Sequence, residues 1–134
     1  MNKFIFLLLV FSTTFGQNKK ENTSKDKIYN QNELDENADY IKGNELLYAE
    51  IYRNYKNPKA LEKNNITTCF IAISFTIEKN GTISNLKSIR DCGFGSGEEA
   101  IRVIKNIKGW KAGKIKNKAV RSSYTIPIHL RNLE

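Results

Sequence analysis

Period two and period 3.6 take turns along the second half of this chain. Cys69, Ile71, Ile73, Phe75 and Ile77 alternate with Phe70, Ala72, Ser74, Thr76 and Glu78, the spacing that gives a β-strand one apolar face. Asn80-Gly81 follows, a pair that tolerates positive φ and predicts a hairpin. The return strand runs from Thr82 to Arg90. Its apolar residues Ile83, Leu86 and Ile89 do not share one parity, which predicts a bulge near Ser84-Asn85. Beyond Gly93-Phe94-Gly95 the period becomes helical: Ala100, Ile101, Ile104 and Ile107 form an apolar stripe, with Arg102, Lys105 and Lys108 towards water. Ser96-Gly97-Glu98-Glu99 reads as a capping box, and Gly109 as the stop. Period two then returns from Ala119 to Leu130, with Val120, Ser122, Tyr124, Ile126, Ile128 and Leu130 on one face. Pro127 has no N–H to give a ladder, so this last strand is expected at a sheet edge.

The first half divides into three. Met1-Asn2-Lys3, the apolar run Phe4 to Phe11 and the small residues ending at Gly16 have the layout of a secretory signal peptide. The run falls short of the roughly 20 apolar residues that span a bilayer. Export with cleavage after Gly16 is one reading, and an uncleaved membrane anchor is the other. Residues 17–40 are polar and charge-mixed and read as a flexible leader. A domain at 41–134 opens with a helix from Gly43-Asn44, in which Leu47, Tyr48, Ile51, Tyr52 and Tyr55 share a face. Asn44 is placed to cap it and Pro58 to end it. The tyrosines are read as core, against an exposed binding surface as the other reading.

Chemistry is sparse. His129 is the only histidine among 134 residues, so no metal site and no cofactor is expected. Neither a nucleophile elbow nor a phosphate-cradling loop is present, and Glu98 and Glu99 fit a helix first turn better than acid–base work, so no enzyme is expected. The net charge of +8 concentrates at Lys105, Lys108, Lys111, Lys114, Lys116, Lys118 and Arg121. Aromatic interleaving for base stacking is missing, so nucleic acid is not the expected partner. A solvated basic face and an attraction for anionic envelope components both fit. Cys69 and Cys92 fall opposite each other about a two-residue Asn80-Gly81 turn. A three-residue turn moves the register by one, and a bulge moves it back. Export permits oxidation, so a Cys69–Cys92 disulfide stands beside two free thiols as alternatives.

The order of these signals resembles the C-terminal domain of the TonB family. The resemblance runs from about Gly43 to Leu130. It is carried by the hairpin Ser74 to Ser84 with Asn80-Gly81, by Arg90-Asp91 with Gly93-Phe94-Gly95 and Glu99-Ala100-Ile101-Arg102-Val103, by Trp110 and Gly113, and by the Ile-Pro-Ile around Pro127. Lys108 and Ala112 stand where the family usually has prolines. Together the elements imply an α+β fold: a small three-stranded antiparallel sheet in the order 2-1-3, with two helices on one face. The resemblance implies a periplasmic domain that takes up an extended segment of outer-membrane receptors, the TonB box, as an added strand. Carried over, the partner-binding edge is Lys118, Ala119, Val120, Arg121, Ser122, Ser123, Tyr124 and Thr125. A short transducer anchored in the inner membrane, facing the periplasm and working with inner-membrane motor proteins, is the alternative within TonB-dependent transport. A non-transducing envelope module that pairs with itself as a homodimer is the alternative outside it.

Overall fold

The computed structural model describes residues 27–131. Two long strands form its centre. β3 (Thr68–Ile77) and β7 (Lys118–Arg131) pair antiparallel without a break from Thr68↔Arg131 to Ile77↔Ser122. β4 (Ile83–Arg90) lies on the other side of β3. β1 (Ile28–Tyr29) lies on the far side of β7, and β6 (Gly113–Ile115) also pairs with β7, giving five strands. β2 (Asp39–Tyr40) and β5 (Trp110–Lys111) make a separate two-stranded ribbon. Among the described residues three α-helices accompany the sheets: α1 (Asn44–Asn54), α2 (Lys59–Lys63) and α3 (Ser96–Lys105).

The three-stranded sheet with two helices expected from the sequence is therefore corrected, among the described residues, to a five-stranded sheet, a two-stranded ribbon and three α-helices. The missed strands are two or three residues long, too short for a period of two to register. The missed helix, α2, follows directly on Pro58, its N-cap residue, where Pro58 was expected only to terminate α1. Residues 27–40 are built onto the domain, with Ala38 and Tyr40 buried in its core. The expected signal peptide lies outside the described residues.

One core joins the layers. Cys69, Ile71, Ile73, Phe75 and Ile77 of β3 and Ile126, Ile128 and Leu130 of β7 meet Leu47 and Ile51 of α1 and Ala100, Val103 and Ile104 of α3. Burying aliphatic side chains of this size stabilises by roughly 1.5–3 kcal/mol each. Trp110 plugs the corner between ribbon and sheet. Its ring stands 5.1 Å from Phe75, 5.4 Å from Tyr40 and 5.6 Å from Tyr124, and its Nε1–H donates to the Ile107 carbonyl. Gly81, at φ +81°, brings the hairpin tip so close that a Cβ there would stand 2.6 Å from the Trp110 carbonyl oxygen. At Gly113 a Cβ would meet Leu34 Cδ1 at 2.5 Å. The missing side chain thus lets residues 34–38 lie against β6.

The hairpin turn spans three residues. Ile77 pairs with Ile83, and the Glu78 N–H donates to the Thr82 carbonyl. Two register shifts follow along β3 and β4, one between Ser74 and Thr76 and one between Ala72 and Ile73. Asn85 takes φ +54° at the first of them. Cys69 and Cys92 are joined by a disulfide with their Cα atoms 5.9 Å apart. Two helix starts differ from expectation. Gly43, at φ +86°, precedes α1, and Asn44 is already helical with no side-chain cap. Ser96 makes no capping box: its hydroxyl accepts the Cys92 N–H and its carbonyl accepts the Tyr55 hydroxyl. Glu99 turns instead to Arg102 and the Lys56 N–H.

Candidate functional site

An edge strand carries a row of backbone groups that its own sheet leaves open. β7 is expected to be such a strand, but the sheet places β3 on one side of it and the short β1 and β6 on the other, so its outer groups are covered piecemeal. At the N-terminal end β6 hairpins onto it through Lys116-Asn117, both at positive φ, pairing Ile115↔Lys118, Lys114↔Ala119 and Gly113↔Val120. β1 then lies parallel to it, with Ile28↔Arg121 and Tyr29↔Ser122. Further along, side chains replace strands. The Gln31 amide donates to the Ser123 carbonyl at 2.8 Å and to Ser122 Oγ at 3.3 Å, while its own oxygen accepts the Ala38 N–H. The Tyr48 hydroxyl donates to the Pro127 carbonyl at 2.8 Å, and the Tyr52 hydroxyl to the His129 carbonyl at 3.3 Å. Carbonyls 123, 127 and 129 share one parity, so they face the same side of the strand.

The expected edge residues accordingly have different surroundings. Lys118, Ala119 and Val120 are paired with β6, and Arg121 and Ser122 with β1. Ser122 is fully buried, whereas Ser123 directs its hydroxyl to the Tyr29 carbonyl and Asn30 Oδ1. Tyr124 leans into the cluster with Phe75 and Trp110, and burial pushes its hydroxyl pKa up. Thr125 is exposed and pairs with Ser74 of β3. Asn80 and Gly81 hold the hairpin tip, with the Thr82 N–H donating to Asn80 Oδ1. Pro127 faces Ala72 in the ladder and offers Tyr48 its carbonyl.

Electrostatics fix where β7 begins. Arg121 reaches the hairpin end and donates to Glu78 through Nε at 2.7 Å and Nη2 at 3.0 Å. Ser84 adds a third bond to the same carboxylate at 2.6 Å. The Arg121 bonds, with Ser84 behind them, hold the Glu78 carboxyl below the usual carboxylate range. Lys111 and Lys114, from the basic run, lie 3.9 Å from Glu36. His129 stacks on Phe70 with centroids 3.9 Å apart, on the sheet face away from the core. Among the described residues no group of three or more His, Cys, Asp or Glu is placed to hold a metal ion, and no helix is long and apolar enough to cross a membrane.

Two residues of this region, Ile28 and Gln31, were not read from the sequence, and two more, Tyr48 and Tyr52, were read as core. The only signal for the first two is the apolar pair Ile28-Tyr29 inside a polar stretch. The two tyrosines were visible in the apolar stripe of α1, but not the use of their hydroxyls. Comparison of the chain with protein-family models, with curated proteins and with solved structures finds no match.

Proposed function

We propose that this domain binds an extended peptide segment by adding it as a strand along the outer edge of β7. The observation that carries the reading is the nature of the covering: beyond β6, a two-residue strand and three side chains take the place of a full neighbouring strand. An incoming backbone would supply the same donors and acceptors in one piece, as β-augmentation requires. Main-chain pairing at 121–125 would set the affinity, and side chains on alternate positions the specificity. The resemblance of the hairpin, Trp110, Gly113 and the last strand to the TonB C-terminal domain makes outer-membrane receptor segments the first class of partner to test, with a place at the periplasmic side of the envelope.

The test is an isotope-labelled titration of residues 17–134 with a panel of receptor N-terminal peptides. Backbone amide shifts concentrated at Arg121 to Thr125 are expected. A β7 edge silent across the panel, with shifts elsewhere or none, would remove the reading.

A further inference from the structure

Resting on the strand-addition reading, we infer that residues 27–31 are a resident ligand of the β7 edge. The external ligand is then a parallel strand that carries a side-chain amide just beyond its paired residues, and it binds by exchange with this segment. The pairing Ile28↔Arg121 and Tyr29↔Ser122 runs parallel to β7, so the segment lies on β7 as a separate peptide would. The Gln31 amide is read from two sides, by the Ser123 carbonyl and Ser122 Oγ. Ser123 Oγ meets the Tyr29 carbonyl and Asn30 Oδ1. Backbone pairing, a fixed amide and a serine on the preceding residues make a small recognition set in which nearly every contact is polar.

The segment is built to leave. None of residues 27–37 is buried, and Ile28 keeps 40% exposure. The first core anchors after it are Ala38 and Tyr40. Asp35 and Glu36 are bonded to Lys114 of β6, so the chain can detach up to Glu33 while residues 34–38, β2 and the core stay in place. Beyond the Ala38 N–H that Gln31 accepts, which detachment gives up, its other contacts, Lys27 over the Tyr29 ring and Lys27 with Glu33, lie within residues 27–33 and travel with them. Tethering gives such a segment an effective concentration in the millimolar range. An external strand must outcompete that, and its apparent affinity falls by the fraction of time the edge is open.

The probe is the segment itself, a synthetic peptide of residues 27–33, titrated into the full labelled chain and into the same chain carrying Tyr29→Pro and Gln31→Ala. These substitutions remove a ladder donor and the amide contacts, those to Ala38 and Ser122 included, and neither replaced residue is itself buried. If β1 is docked nine-tenths of the time or more, the peptide binds the variant at least about tenfold more tightly than the unaltered chain, with shifts at Arg121 to Ser123. A peptide with alanine in place of its glutamine binds the variant more weakly. Equal affinity for the two chains would overturn the resident-ligand inference and leave strand addition standing. No binding at the edge of either chain, with the variant's thermal unfolding unchanged, would overturn both.

Discussion

Glu78 ties the β3–β4 hairpin to the start of β7. It takes two bonds from Arg121 and one from Ser84, and these hold its carboxyl below the usual range. A carboxyl that ionises more readily when folded stabilises the fold above its unfolded pKa of about 4.3, and that contribution is lost as pH falls through the lower folded value. Glu78→Gln keeps the shape and removes the charge. It is expected to lower stability at pH 7 by about 1 kcal/mol, the scale of a partly exposed but bidentate pair. In urea melts the gap between the two chains should stay constant from pH 7 to about pH 5 and close below that. A gap independent of pH down to pH 2 would show that the loss arises from packing and not from the ion pair.

At the scale of elements, the disulfide fastens the start of β3 to the loop that leads into α3. Cys69 is buried among the core residues. A closure of 23 residues stabilises by about 3 kcal/mol on the chain-entropy account. Replacing both cysteines by alanine should cost that much in a denaturant melt, and a cost below about 1 kcal/mol would mean that the closed loop is already ordered without the bond. The neighbouring elements explain what the sequence showed and what it hid. β3, α3 and β7 were legible because their periods persist over ten or more residues. β1 was not, because Ile28-Tyr29 is a strand only by virtue of the β7 edge beside it; its own pattern contains nothing periodic. Pro127 and the alternation pointed only to a last strand without a full neighbour, and the span Lys118 to Thr125 is what the family resemblance implies. Its covering depends on contacts between segments far apart in the chain, which spacing does not encode. Helical spacing put Tyr48 and Tyr52 on the face of Leu47 and Ile51, but they sit at its margin, where a ring packs and a hydroxyl reaches out.

For the whole molecule, the covered edge decides how copies meet. A bare edge strand of 14 residues is a template for a second copy, and β7 has that length. Yet its groups are occupied from 118 to 123 by β6, β1 and Gln31, and at 127 and 129 by the tyrosine hydroxyls. What lies between is too short for the continuous ladder that an edge-to-edge dimer needs. The positive charge of the chain, +8 over its full length, adds repulsion between copies at low salt. The unaltered chain is therefore expected to sediment as a monomer across the accessible concentration range. Tyr48→Phe together with Tyr52→Phe removes two hydroxyls from the edge and keeps the rings. It should leave the fold intact and shift sedimentation towards a dimer as concentration rises, more strongly at high salt, where the repulsion is screened. A dimer already present in the unaltered chain, unaffected by these two substitutions, would show that copies associate through some other face and that the tyrosines do not guard the edge.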